Sequence, residues 1–418
     1  MIVHSKKALL VTRNIVVRKA RRVLMLLGPA FVAAVAYVDP GNFAANFSGG
    51  AQYGYALLWV LIVANLMASL VQYLSAKVGL VTGMSLPEVV AKKLGRKSRI
   101  AYWLQAEAVA ISTDLAEVIG GAIALNILFG LPLIAGAVIT GLVSLLLLVI
   151  YTRRGQKIFE RVIVGLLLII PLGFFAGLIM QPPNAADVMA GLVPQLRDGD
   201  MVLLAAAMIG ATVMPHVVYL HSALSRDRHG KSQKEELRKL LKATKIDVGL
   251  AMLLAGSVNI SMLLLAASAL HGVPGTDSLQ GIYEALGANV GPLVAWLFGL
   301  SLLVSGFAST TVGAHAGAVI MDGMLNRSIP LLVRRVITII PAVVIVGFGI
   351  DPTQALIVSQ VILSFGIPFA LIPLLLATSN RKIMGDQINH KAITVILSTI
   401  VAIIVLLNLA LIWLTFAE

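Results

Sequence analysis

Residues 28–47 read GPAFVAAVAYVDPGNFAANF, an apolar stretch with Asp39, Pro40, Gly41 and Asn42 in succession at its centre. Proline inside a helix deletes a hydrogen-bond donor and clashes with the preceding turn, at about 3 kcal/mol or more. Glycine adds roughly 1 kcal/mol, and a carboxylate at bilayer depth about 2.5–3.5 kcal/mol. Penalties so concentrated predict an unwound break between two half-helices. Such a break is tolerated inside a membrane only where the backbone is buried in protein or lines a wet cavity. Asp39 and Asn42 are three apart, so one turn aims both side chains in similar directions. The pattern returns at residues 203–224, LLAAAMIGATVMPHVVYLHSAL, where Gly210, Met214, Pro215 and His216 fall mid-stretch. Pro215 leaves the carbonyls just before it, that of Ala211 included, without helical donors.

Outward from these two stretches the chain is apolar throughout. Of its 418 residues 59% are hydrophobic and 12% charged, about half the charge of an average soluble domain, and its mean hydropathy is +0.95. A soluble enzyme, a coiled coil and a disordered scaffold are excluded. A transmembrane helix takes about 20 mostly apolar residues. That length divides the chain into eleven spans, at about 23–47, 54–78, 100–126, 131–151, 158–181, 201–224, 246–270, 289–315, 331–350, 353–378 and 392–415. The net charge of +13 marks topology: of 32 Lys and Arg, only Arg197 falls in the connections opposite the N-terminal side, where Asp187, Asp198, Asp200, Asp277, Glu284 and Asp351 lie instead. Positive residues stay cytoplasmic, so the reading is an N-terminus inside and a C-terminus outside. A signal peptide, with Ala34-Val35-Ala36 imitating a cleavage site, is disfavoured because cleavage would remove a helix that the charge distribution requires. There are 0 cysteines, hence no disulfide or thiolate site. The connection Arg226 to Lys245 reads as a solvated charged linker or a short amphipathic helix, and the basic arm 1–22 as resting near anionic headgroups.

Broken helices five spans apart, in corresponding positions of two halves, point to a transporter site formed by inverted repeats. The expected organisation is therefore an all-α integral membrane protein: basic arm 1–22, repeats 23–181 and 182–378, and a peripheral helix in 379–418. The breaks offer the Asp39 carboxylate, the Asn42 amide oxygen, the Ala211 carbonyl and the Met214 sulfur. Oxygen donors with one formal charge suit a divalent cation. A thioether has almost nothing to offer Mg²⁺ or Ca²⁺ and favours a softer ion such as Mn²⁺ or Fe²⁺, with Cd²⁺ as a toxic passenger. Met214 by itself would read as apolar filler.

Span 3 carries Glu107, Asp114 and Glu117 on one helical face. Acids on a membrane span mark an ion or proton route, or a static salt-bridge network. Available cationic partners are His216, His221, Arg228, Arg334 and Arg335. Ser301, Ser305, Ser309 and His315 on span 8, and Asn259 on span 7, read as helix-packing groups. Gln360 with Ser364 stays ambiguous from pattern alone.

DPGN at 39–42 and MPH at 214–216 resemble the two signature motifs of the Nramp family of proton-coupled divalent metal transporters. The resemblance extends through STDLAE (112–117), GATVMPHVVYLHSAL (210–224) and VSQVILSFGIP (358–368) and covers nearly the whole chain. It implies a LeuT-type fold with broken helices 1 and 6, and metal import with protons, of the bacterial manganese-transporter type, in the cytoplasmic (inner) membrane. Position by position it implies metal contacts on Asp39, Asn42, Ala211 and Met214, joined by Gln360 in one conformation. It also implies a proton path from Asp39 through His216 to Glu117 and Asp114 and on to the arginines. Relatives that move Mg²⁺ lack the Met214 sulfur, so a magnesium transporter is the weaker reading. The implied partners are metal, protons and lipid, with no nucleic acid and no resident cofactor, for a monomer. Among rivals, an amino-acid symporter would meet repulsion between its substrate carboxylate and Asp39. A passive channel needs no acid stripe, and an intramembrane enzyme lacks HExxH or GxSxG.

Overall fold

The computed structural model describes residues 28–230 and 234–417, and every regular element among them is a helix. In chain order the helices are α1 (Pro29–Ala36), α2 (Pro40–Tyr53), α3 (Leu58–Thr82), α4 (Leu86–Ala91), α5 (Arg96–Phe129), α6 (Leu133–Arg154), α7 (Gln156–Ile169) and α8 (Pro171–Met180). They continue as α9 (Ala185–Ala190), α10 (Gly199–Thr212), α11 (Pro215–His229), α12 (Lys234–Ala269), α13 (Leu279–Asn289) and α14 (Pro292–Leu325). Last come α15 (Leu331–Gly347), α16 (Pro352–Thr378), α17 (Arg381–Met384) and α18 (Lys391–Ala417). The basic arm 1–22 lies outside the described residues.

Nine helical stretches among the described residues are long and apolar enough to cross a membrane, against the eleven read from sequence. Two places account for the difference. α2 passes through a 3-10 turn, Gly54–Leu57, straight into α3, so Pro40–Thr82 is one helical stretch, and α1 is only 8 residues long. α15 has 17 residues, just under the usual spanning length. The fifth expected span carries a turn at Ile170 where α7 gives way to α8 with Pro171 at its start. The expected linker at 226–245 is mostly helix: α11 runs to His229 and α12 begins at Lys234.

Both expected breaks are present, and the local chemistry explains each. At the first, Asp39 is the N-cap of α2: its Oδ1 accepts from the Asn42 backbone N–H at 2.8 Å, and Pro40 occupies N1. That is where proline fits a helix, because its missing N–H has no partner there anyway. DPGN is thus a helix-start signal placed at membrane depth. The α1 side closes with tightened bonds from Tyr37 N to Ala34 O and Val38 N to Val35 O, both 3.1 Å. The carbonyls of Tyr37 and Val38 then lack their usual donors. Asn259 Nδ2 of α12 donates to Tyr37 O at 2.7 Å, and Ser305 Oγ of α14 donates to Val38 O at 2.5 Å. Residues that pattern alone assigned to general helix packing therefore hold the break open. At the second break Met214 is the N-cap of α11 and Pro215 its first residue, with Val213 in a non-helical conformation.

Around the breaks α5 and α14 pack along each other, α12 lies on α2 and α3, α11 on α3, and α10 on α16. α5 reaches the first break through Gly120, where an added Cβ would overlap the Pro40 ring. Asn259 also accepts from Asn46 Nδ2 at 3.0 Å, so Asn259→Leu strips the break of a donor and a second amide of its acceptor. An unsatisfied buried carbonyl costs about 1–3 kcal/mol, and a lower melting temperature of the purified protein in detergent is expected. An unchanged melting temperature would contradict the capping role.

Candidate functional site

The half-helix ends meet at one place. Asn42 Nδ2 donates to Asp39 Oδ1 at 2.8 Å and, across the gap between the two broken spans, to the Ala211 carbonyl at 3.1 Å. That carbonyl is available because residue 215, which would serve it in an unbroken helix, is a proline. Asp39, Asn42, Ala211 and Met214 have no exposed surface. Gln360 of α16, equally buried, arrives over the first break: a Cβ at Gly41 would overlap its amide, and a Cβ at Gly210 would overlap its carbonyl oxygen. Glycine at both positions is what lets α16 come this close.

What remains unpaired defines the chemistry. Asp39 Oδ2, Asn42 Oδ1 and Gln360 Oε1 are buried and have no hydrogen-bond partner. Buried polar atoms without partners are uncommon and call for an explanation. Two of these oxygens, on Asp39 and Asn42, belong to the group that meets the carbonyl freed by proline, and together they make an electron-rich, buried site with a single carboxylate. Among the described residues no three His, Asp or Glu side chains are grouped to hold an ion, so any cation here relies on neutral donors beyond Asp39.

The acids of span 3 lie on α5 in a line leading to this place. Asp114 and Glu117 are buried and share one position on α14: a Cβ at Gly313 would fall 2.8 Å from Glu117 Oε2 and 3.1 Å from Asp114 Oδ1. Arg335 Nη1 pairs with Asp114 Oδ1 at 3.0 Å; its Nε donates to Ser144 Oγ at 2.6 Å and its Nη2 to Thr310 Oγ1. Arg334 pairs with Glu107 at the more open end of the stripe. Neither oxygen of Glu117 has a hydrogen-bond partner. His216 Nδ1 is 3.3 Å from Thr113 Oγ1, which places the histidine beside the stripe. His221 belongs to a different group: its Nδ1 meets Gln72 Oε1 at 2.7 Å, and Gln72 Nε2 donates to the Tyr37 hydroxyl at the first break. Arg228 pairs with Glu160 of α7, an acid that the sequence reading did not consider. His315 packs against Tyr151 in a tilted arrangement, with ring centroids 4.5 Å apart and the planes at 52°.

Sequence reasoning missed Tyr37, Gln72, Thr113 and Asn46. The usable signal for the first two was each polar group at membrane depth, treated as a donor or acceptor in need of a partner. Thr113 and Asn46 look like ordinary helix residues until the partner helix is known.

Two half-helix pairs meeting over buried, unpaired oxygens define a membrane carrier of the broken-helix, LeuT type, a transporter rather than an enzyme. The chain belongs to the Nramp family: the family model described as natural resistance-associated macrophage protein-like matches residues 30–414. It is 58% identical over 393 residues to the divalent metal cation transporter MntH of Mycobacterium tuberculosis strain H37Rv, covering 93% of this chain and 91% of that one. It is 48% identical over 403 residues to the MntH of Bacillus subtilis, covering 96% and 94%. Among solved structures, the manganese transporter of Eremococcus coleocola superposes with a TM-score of 0.83 at 33% identity, over 93% of this chain and 86% of that one. MhsT in complex with L-phenylalanine shares the fold, with a TM-score of 0.63 at 14% identity over 91% of this chain and 98% of that one.

The buried pair makes a direct test. Breaking a buried ion pair from one side leaves an uncompensated charge and costs about 3–5 kcal/mol, whereas replacing both partners with apolar groups is often nearly neutral. Arg335→Leu is expected to lower the melting temperature sharply, and Arg335→Leu with Asp114→Leu to recover most of it. A double variant no more stable than the single one would rule out the pairing as described.

Proposed function

We propose that this chain is a secondary active importer of divalent transition metal, Mn²⁺ first with Fe²⁺ and Cd²⁺ also accepted, coupled to protons by alternating access. The observation that carries this reading is the hydrogen-bonded meeting of Asp39, Asn42 and the Ala211 carbonyl where two broken helices meet, with Asp39 Oδ2 and Asn42 Oδ1 buried and unpaired, the Gln360 amide against Gly41 and Met214 at the start of α11. The names of its relatives, divalent metal cation transporters and a manganese transporter, agree with that chemistry. Asp39, Asn42, Ala211, Met214 and Gln360 would be the ligands. Hard oxygens hold any divalent cation, and the thioether discriminates in favour of softer ones.

Asp39 binds metal only as the carboxylate, so a proton and the metal compete for one group. A proton displaced from Asp39 would move inward past His216 and Thr113 to Glu117 and Asp114, and on to Arg335, Arg334 and Glu107. His221 would act through Gln72 and Tyr37 at the break, and Arg228 at the cytoplasmic side. Rocking of the bundle that carries spans 1 and 6 would expose the site alternately, within two five-helix repeats, 23–181 and 182–378, and with the helix of 379–418 outside them. With the N-terminus cytoplasmic and the C-terminus outside, the membrane would be the bacterial cytoplasmic one. An inside-negative potential favours entry by about 2.3 kcal/mol per charge per 100 mV. An amino-acid substrate fits less well, because its carboxylate would face Asp39.

Uptake into proteoliposomes with internal pH recorded together tests the whole reading. Mn²⁺ influx with internal acidification is expected, and Asp39→Asn is expected to abolish both; Mn²⁺ uptake surviving Asp39→Asn would remove the central ligand. Met214→Ala is expected to keep part of the Mn²⁺ flux while Ca²⁺ or Mg²⁺ begins to compete. Unaltered discrimination in that variant would mean that sulfur is not the filter.

A further inference from the structure

α16 contains two prolines, Pro368 and Pro373, and each deletes the donor for the carbonyl four residues earlier. Both orphaned carbonyls are taken up by other helices. Phe369 O accepts from Tyr102 of α5 at 2.6 Å and from Tyr219 of α11 at 2.8 Å. Ser364 O accepts from Asn408 Nδ2 of α18 at 3.0 Å, and Asn408 Oδ1 accepts from Ser364 Oγ at 2.9 Å. Asn408 therefore spends both ends of its amide on one residue of α16.

Little else calls for an amide there. The buried face of α18 comprises Leu397, Ile400, Ile404, Asn408 and Leu411, at the three- and four-residue spacing of one helical stripe. Four of the five are aliphatic, and an apolar side chain would pack as well at the fifth. The Ser364 hydroxyl matters too. A serine inside a helix commonly bonds back to the carbonyl four residues before it, which here is that of Gln360. Instead it points to Asn408, and the Gln360 carbonyl lies against Gly210, the residue before Ala211.

We propose that Asn408 is a positioning residue for the metal site: by clasping Ser364 across the gap left by Pro368, it fixes the bend of α16 that carries Gln360, one turn away, over Gly41 and against Gly210. This rests on the reading of Gln360 as a ligand. The helix that the sequence leaves peripheral thereby sets the geometry of the site without touching the ion.

A double-mutant cycle tests it on the purified full-length chain, with Mn²⁺ binding measured by titration calorimetry and melting temperatures recorded alongside. Gln360→Ala and Asn408→Leu are each expected to weaken Mn²⁺ binding by about tenfold. The double variant is expected to be no weaker than the worse single one, the non-additivity that marks two residues acting through one contact. A role confined to helix packing would lower the melting temperature and leave Mn²⁺ affinity unchanged, which overturns the proposal, as do fully additive losses. Should Asn408→Leu fail to fold, Ser364→Ala keeps the backbone clasp and removes only the hydroxyl. A smaller loss with the same non-additivity is then expected, and wild-type affinity overturns the proposal. Asp39→Asn separates the two levels: Mn²⁺ binding retained there sinks the metal-site reading itself. Binding lost there with affinity intact in Asn408→Leu sinks only the positioning role.

Discussion

Inside a bilayer no water is available for a carbonyl that has lost its N–H partner, and the architecture of this chain follows from that constraint. Pro215, Pro368 and Pro373 each remove the donor for a carbonyl four residues earlier, and Pro40 starts a new half-helix after the first break. The carbonyls around the first break are served by Asn259 and Ser305, and those of α16 by Asn408, Tyr102 and Tyr219. At Ala211 the donor is Asn42, a residue of the other broken helix. Asp39 Oδ2, Asn42 Oδ1 and Gln360 Oε1 are left buried without partners, and the proposed cation site draws on them.

The same arrangement explains why the site is weakly charged. Asp39 divides its carboxylate, one oxygen committed to capping α2 and the other left unpaired. A cage of several carboxylates would hold a dication tightly, whereas a carrier must release its cargo on the far side. The proposed set of one carboxylate, two amides, a carbonyl and a thioether would offer oxygen for charge and sulfur for selectivity without excess negative potential. The buried Asp114–Arg335 pair keeps its own charge compensated nearby, while Glu117 stands between that pair and the break.

Much of this was legible in the sequence, for identifiable reasons. Proline and glycine beside an ionisable residue at mid-span leave few structural options, so both breaks and the residues beside them were readable from composition and spacing. The acid stripe was readable because three acids on an apolar helix share a face at spacings of seven and three. The partners were not. Nothing local says that Asn259 and Ser305 cap the first break, that His221 reaches Tyr37 through Gln72, or that Arg228 pairs with Glu160, because those contacts join spans distant in the chain. Span number was blurred for a related reason: length and hydropathy cannot register a half-helix that merges with its neighbour, as α2 does with α3. Asn408 illustrates the cost of reading helices one at a time. On α18 it is a lone amide, and its role emerges only beside Pro368.

The most direct measurement is anomalous diffraction from crystals of the protein grown with Mn²⁺. A single peak within bonding distance of Asp39, Asn42, the Ala211 carbonyl and Met214 is expected. A peak elsewhere in the membrane-embedded part, or one that touches Asp39 with Met214 out of reach, would contradict the assignment.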